Sequence, residues 1–356
     1  MILAGGQGTR LRPLTLARAK PVVPLLNRPF LAHQLALLRA HGVVDAILAC
    51  SYRVDDVRAA LGDAEHLGVS LRYVVEKEPL GTGGGIANAA DLASGTVFVL
   101  NGDVLTDADL TVMRRFHEAR GSRATIYLTR VVDPRQYGLV ETDADGRLRA
   151  FREKPAAGDP ITTDTVNAGV YLLDAALLRD IPRDRPVSIE REVFPALIAE
   201  GVPCFGWTAA AYWQDIGTPA AYRGAQMDLL EGRARLLLPP PGEPRDGSWI
   251  GTGATAAADA RVVASSVIGA RVTLAAGCRV GPSAVIGDGS TIGPEARVEG
   301  SVLWERVDVG RGALLRDCVL GADVRIGALA SVGAGVVLES GAVIPERTTL
   351  TRGDAT

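Results

Sequence analysis

A chain of 356 residues, 47% hydrophobic and with a formal charge of −3, has room for two domains with a core each. The mild acidity excludes a non-specific nucleic-acid surface, and no apolar run approaches the roughly 18 residues of a spanning helix, so neither nucleic acid nor membrane is an expected partner. The first residues lack the basic start and small-residue cleavage site of a signal peptide, which points to the cytoplasm.

The chain opens on a short buried strand end, Ile2 to Ala4. Gly5, Gly6 and Gly8 follow and free the backbone to turn tightly, with amide N–H groups facing an anion. Arg10 and Arg12 add charge, and Lys20-Pro21 closes the segment. A phosphate cradle and an ordinary tight turn both fit these residues. Two familiar phosphate loops do not. A Walker loop needs a Gly-Lys pair, and none occurs; a dinucleotide fingerprint needs a third glycine where Leu11 follows Gly6-x-Gly8.

Short apolar runs then alternate with helical patterns, which predicts an α/β fold with a mainly parallel sheet covered by helices on both faces. FLAHQLALLRAHG has helical spacing up to a stop at Gly42, AILACSY is a strand, DVRAALGDAEHLG a helix and LRYVVE a strand. LGTGGG, Leu80 to Gly85, opens the next helix. Small residues at that junction let a flat base approach the backbone, although a loop needing only flexibility reads the same. TVFVLNGDV is a strand that sets Asp103 at its carboxyl end, where open α/β sheets bind ligands. DADLTVMRRFHEARG is a helix with an aspartate cap that stops at Gly121, and RATIYLTRV is a strand.

His33, His41, His66 and His117 lie in or beside these helices as surface or packing residues. Cys50, Cys204, Cys278 and Cys318 are far apart, without a C-x-x-C pair, and read as small buried hydrophobes. Of 38 basic residues only Lys20, Lys77 and Lys154 are lysine. In so arginine-rich a chain, a retained lysine marks a place where the wider guanidinium fork does not fit.

From Ile250 the pattern changes. Ile250, Ala256, Val262, Ile268, Leu274, Val280, Ile286, Ile292 and Val298 recur every six residues, often with glycine next. After an irregular stretch near Trp304 the period resumes at Leu320, Ile326, Val332, Leu338 and Ile344. Such a period predicts a left-handed parallel β-helix, each hexapeptide forming one side of a triangular coil with its aliphatic residue on the axis. The linker is LLLPPPGEPRDGS, whose successive prolines resist helix and sheet. The expected domains are residues 1–235, a linker at 236–248, and the β-helix at 249–350.

As whole strings, GGQGTRLRPLT and AKPVVP resemble the N-terminal signature of the sugar-1-phosphate nucleotidylyltransferases, and the hexapeptide repeats match a frequent appendage of that family. The resemblance spans residues 1 to about 230 and implies a Rossmann-like catalytic domain with a mostly parallel mixed sheet. It assigns Leu3, Ala4, Gly5, Gly6, Gly8 and Thr9 to the loop around the nucleoside triphosphate, and Arg10 and Lys20 to its phosphates. Glu78, Pro79, Gly81 and Thr82 match the family's base and ribose motif. Asp103 and, in YWQDIGTP, Asp215 match its metal-ligand aspartates, which suits Mg²⁺, a cation that takes one or two carboxylates and keeps several waters. YGLVETD (Gly138), FREKP (Glu153, Lys154) and VNAGVYLLD (Asn167, Gly169) match segments that build the sugar-1-phosphate pocket, Lys154 standing where the family's lysine grips the phosphate. SIEREVFPAL is similar to the mannose-1-phosphate guanylyltransferases, in which the glutamate at Glu190 faces the sugar. The family usually has a few more residues before ILAGG, a departure of this sequence from the family pattern that leaves open whether the native start lies upstream of Met1.

The reaction implied is NTP + sugar-1-phosphate → NDP-sugar + pyrophosphate, with GTP and mannose-1-phosphate favoured. Other sugar or cyclitol phosphates, other NTPs, and a non-catalytic subunit that binds nucleotide sugar are the alternatives. An acyltransferase β-helix is disfavoured because no histidine follows His117. The repeats are expected to serve self-association into a homo-oligomer.

Overall fold

The computed structural model describes residues 1–353, which fall into two compact units. The first contains Met1–Gly6 with Gln34–Trp213; the second contains Gln7–His33 with the chain from Gln214 onward. The proline-rich linker was expected to part the domains. The compact units divide elsewhere: the early segment 7–33 and the residues just before the linker group with the repeats.

The first unit is built on a nine-stranded sheet. Its order is Leu148–Glu153, Gly138–Thr142, Thr165–Asp174, Thr96–Asn101, Ile2–Leu3, Asp45–Cys50, Ser70–Val75; Ala124–Arg130 joins beside Thr165–Asp174 and carries Cys204–Thr208. The four strands from Thr96–Asn101 to Ser70–Val75 pair in parallel. Thr165–Asp174 runs antiparallel to its neighbours, giving the expected mixed sheet. Ala46 to Cys50 are buried without alternation, as a strand covered on both faces must be.

Helix 110–119 begins as its sequence requires: the Asp109 carboxylate accepts from the Val112 N–H at 3.0 Å. The segment DVRAALGDAEHLG is not one helix. It ends as an α-helix at Leu61, because Gly62 takes φ 56°, and continues only as a short 3₁₀ turn at Glu65–Leu67. Ser188 caps a single π-turn, Ile189–Val193, that leads into helix Phe194–Ala199, where Pro195 has no N–H to give. No helix among the described residues is long and apolar enough to cross a membrane.

In the second unit the repeats wind into a coil of three parallel sheets. The hexad residues from Ile268 to Leu338 form one continuous apolar core, with Ile250, Val262 and Ile344 partly buried at its ends. Ala256 is exposed: its strand, Thr255–Ala256, is the edge strand of its sheet. The corners are left-handed. Ser265, Arg271, Gly277, Ser283, Gly289 and Glu295 all have φ between 53° and 69°. The irregular stretch stays within the coil. Val267 pairs with Val285, but Val285 pairs with Val302, one residue sooner, and the shortening falls at the corners Gly300 and Asp317.

Glycine after the axial residue permits close stacking. A Cβ on Gly287 would lie 2.4 Å from the Trp304 carbonyl carbon. Gly287→Ala should therefore cost about 1–3 kcal/mol, as overpacked sites do, read as a lowered Tm of the full chain. An unchanged Tm would contradict this backbone packing.

Candidate active site

The parallel register aligns the carboxyl ends of four strands in the first unit. Leu3 stands opposite Ala49 and Asn101, and Cys50 opposite Val75. Ala4 to Gly6, Ser51, Glu76 to Leu80, and Gly102 to Asp103 therefore leave the sheet along one edge. The Gly102 N–H donates to the Leu3 carbonyl at 2.8 Å, which brings the turn bearing half-buried Asp103 against the opening strand. The Ser51 hydroxyl donates to the Gly5 carbonyl at 2.8 Å.

Glu76 underlies this edge. Its carboxylate accepts from the Leu80 N–H at 3.1 Å and lies 2.7 Å from where a Gly85 Cβ would project. Burial pushes its pKa up, against the lowering effect of the Leu80 N–H. Sequence reasoning passed over Glu76 for Glu78, which is exposed, as is Pro79. The only signal for Glu76 was a carboxylate closing an apolar strand just before the glycine motif.

The loop after Glu76 is tied to the helix Gly81–Ala89. Gly81 takes φ 74°, and the Gly83 N–H donates to the Val187 carbonyl at 2.8 Å. The adjacent Thr82 hydroxyl donates to Glu190 at 2.6 Å, so the PLGT and SIEREV motifs meet. Glu190 is buried. It also accepts from the Ser188 hydroxyl at 2.8 Å and, weakly, from Tyr171 at 3.5 Å. Asn167 donates to the Tyr171 oxygen at 2.8 Å and accepts from the Gly169 N–H at 2.9 Å. Gly138 leaves room for Glu153, whose carboxylate would be 2.6 Å from a Cβ there. Burial, and then the Glu190 charge, hold the Glu153 pKa above the usual carboxylate range. Exposed Lys154, at φ 48°, places its Nζ 3.7 Å from Glu153. Thus Thr82, Gly138, Glu153, Lys154, Asn167, Gly169 and Glu190 form one connected set, with Tyr171 as a member that sequence reasoning did not name.

The second unit carries Gly8, Thr9, Arg10, Lys20 and Asp215. Gly8 is left-handed (φ 64°), and a Cβ there would lie 2.9 Å from the Lys20 Cβ, so the glycine lets the loop close over the lysine stem. The Thr15 hydroxyl donates to the Gly8 carbonyl at 2.8 Å and fixes this turn. Lys20 is buried at the start of a 3₁₀ turn, while the Arg10 side chain remains 58% exposed and donates to Asp215 at 3.3 Å. Gly217 lies beside both: a Cβ there would be 2.7 Å from the Arg10 guanidinium. Thr218 caps, and Pro219 begins, the helix that follows.

The histidines and cysteines sit outside these sets. His33 contacts the Leu25 carbonyl at 2.9 Å, with burial lowering its pKa to about 4; His117 bonds Thr125 at 2.8 Å and His41 bonds Thr111 at 2.9 Å. The four thiols are buried, and burial pushes each up to about 11. Among the described residues no group of three or more His, Cys, Asp or Glu is placed to hold a metal.

Residues 1–232 match the nucleotidyl transferase family. The chain belongs to it. This nucleotidyl transferase also matches the GMPPB C-terminal domain over residues 262–353. It is 40% identical over 319 residues to a mannose-1-phosphate guanylyltransferase from Mycobacterium tuberculosis, covering 88% of this chain and 82% of that protein. With the mannose-1-phosphate guanylyltransferase catalytic subunit beta of Drosophila pseudoobscura it shares 42% identity over 223 residues, 62% of this chain and 59% of the other. The crystal structure of HddC from Yersinia pseudotuberculosis superposes with a TM-score of 0.54 at 30% identity, covering 63% of this chain and 96% of HddC. Nucleotidyl transferases generally use a divalent metal.

Glu76 generates a pH-dependent prediction. Because its folded pKa is raised, the native state holds the proton more tightly than the unfolded chain. Its contribution to stability therefore falls as pH rises from the ordinary carboxylate value through the raised one. In Glu76→Gln, urea unfolding between pH 4 and pH 7 should lack that decline, with the Leu80 N–H still satisfied by the amide oxygen. A decline as steep as in the parent chain would exclude Glu76 as its source.

Proposed function

We propose that this nucleotidyl transferase is a mannose-1-phosphate guanylyltransferase, converting GTP and mannose-1-phosphate to GDP-mannose and pyrophosphate. What carries the substrate pair is the 40% identity to the Mycobacterium tuberculosis enzyme of that name along 88% of the chain. The hydrogen bond between Thr82 and Glu190 supports it, since it joins the segment read as contacting the nucleotide to the one read as facing the sugar.

In this reading a phosphate oxygen of mannose-1-phosphate attacks the α-phosphorus of GTP. One O–P bond forms there, and the bond to the β-phosphate bridging oxygen breaks. The phosphate monoester is largely dianionic near neutral pH, so its nucleophilic oxygen needs no general base. The structural engagements of His33, His41 and His117 agree with this. What the protein must supply is alignment of two mutually repelling anions and neutralisation of charge at the α-phosphorus.

We assign Leu3, Ala4, Gly5, Gly6, Gly8 and Thr9 to wrapping the triphosphate, Arg10 and Lys20 to its phosphates, and Glu78, Pro79, Gly81 and Thr82 to the base and ribose. Lys154 takes the sugar phosphate, with Gly138, Glu153, Asn167, Gly169 and Glu190 around the sugar. Asp103 and Asp215 are the Mg²⁺ ligands of this reading. Each is a hard carboxylate oxygen donor, the kind Mg²⁺ takes while keeping water and substrate phosphate in its other positions. When bound, Mg²⁺ would withdraw charge from the triphosphate oxygens. The repeat coil is the surface through which we expect self-association, and the composition supports a cytoplasmic enzyme.

Pyrophosphate release should be fast for GTP with mannose-1-phosphate in Mg²⁺, and slow for ATP, UTP or dTTP and for glucose- or glucosamine-1-phosphate. A faster pair elsewhere overturns the specificity. Lys20→Ala or Asp103→Ala should lower kcat by about 10²-fold or more, in line with single-donor losses at anionic transition states. Near-parental turnover in either removes it from the chemistry.

A further inference from the structure

Every other turn of one face of the coil follows its axial residue with a small or polar residue: glycine after Ile250, Ile268, Ile286 and Leu320, and Glu339 after Leu338. After Leu303 that place is taken by Trp304, and the indole is only 1% exposed. A tryptophan on the outer side of a coil is buried only if something covers it. Here the cover is the segment that carries Lys20.

The covering contacts fall on both sides of that lysine. Two residues before it, the Arg18 guanidinium lies 4.8 Å from the Trp304 ring centroid and pairs with Glu305. Four residues after it, the Pro24 carbonyl accepts from the Tyr222 hydroxyl, and Tyr222 in turn accepts from the Trp304 indole N–H at 2.9 Å. Gln226, fully buried, donates to the same Pro24 carbonyl at 3.2 Å and accepts from the Leu26 N–H at 3.0 Å. Asn27 donates to the Ile286 carbonyl of the preceding coil at 2.8 Å. The stretch between these anchors contains the 3₁₀ turn Lys20–Val22. Guanidinium–indole stacking and a pair to a half-buried carboxylate suit arginine specifically, which accounts for Arg18 beside a retained lysine.

We propose that Trp304 and Glu305 of the coil, acting through Arg18 and through the Tyr222–Pro24 bond, are positioning residues that set Lys20 for the triphosphate. The inference rests on the assignment of Lys20 made above. It gives the repeats a part in the chemistry besides association: the coil is the template against which the phosphate-binding segment takes its shape. A displacement of the order of 1 Å in a positioned charged group is enough to cost one to two orders of magnitude in rate.

The test is a double-mutant cycle between Arg18→Met and Lys20→Ala, read as kcat for pyrophosphate release and as GTP affinity. Arg18→Met alone should lower kcat at least about tenfold with little change in KM for mannose-1-phosphate. In the Lys20→Ala background it should add little in either readout, because the group it positions is gone. Trp304→Phe keeps a ring for Arg18 but loses the N–H to Tyr222, so it should fall between parent and Arg18→Met. Arg18→Lys, which keeps the charge opposite Glu305, should recover part of the loss and serves if Arg18→Met folds poorly. Equal losses from Arg18→Met with and without Lys20 would show a merely structural role and overturn the proposal. So would parental kcat and GTP affinity in both Arg18→Met and Trp304→Phe. If Lys20→Ala itself is as active as the parent and binds GTP as well, the assignment of Lys20 fails, and the positioning proposal falls with it.

Discussion

The second unit depends on a largely buried hydrogen-bonded relay, from the Trp304 indole to the Tyr222 hydroxyl to the Pro24 carbonyl. Tyr222 and Gln226 are wholly buried, and Trp304 nearly so. A polar group taken out of water and left unbonded costs about 1–3 kcal/mol, whereas a satisfied one contributes modestly. This relay therefore acts less as a source of stability than as a constraint on register. The segment around Pro24, the helix 219–230 and the coil have few ways to satisfy all of these groups at once. Burial also pushes the Tyr222 hydroxyl pKa up, which keeps it neutral and able to donate.

The same helix reads the irregularity of the coil. Arg223 donates to the Gly300 carbonyl at 2.6 Å and pairs with Asp317, the two corners at which a turn is one residue short. A perfectly periodic repeat offers identical sites along its length, and a helix could slide between them. Two shortened corners and one tryptophan in a glycine's place break that equivalence. The imperfection in the pattern is what specifies where the helix sits.

Much of this was legible in the sequence. The alternation of apolar runs gave the layered α/β unit, and the six-residue period gave the coil, because both are local, repeated patterns. The motifs around Gly8, Thr82, Asp103 and Lys154 were singled out because a whole string carries more information than any glycine in it. Glu76 was missed for a different reason: its partner Leu80 is near in sequence, but nothing local announces that the strand end is buried. Trp304 read only as an interruption. Its partner Tyr222 lies 82 residues away in the chain, and Arg18 lies 287 residues from the neighbouring Glu305; no short-range pattern encodes either pairing. The grouping of segment 7–33 with the repeats was hidden for the same reason.

That grouping has a consequence for how the chain comes to be folded. The backbone leaves the first unit at Gly6, returns at Gln34 and departs finally after Trp213. During synthesis the segment bearing Lys20 emerges long before the indole that packs on its Arg18. Until their partners are made, the Leu26 N–H lacks the Gln226 side chain and Asn27 lacks the Ile286 carbonyl. The nascent chain must carry this segment uncovered until the coil is made, and its native shape is expected to arrive late and abruptly, when the coil closes over it.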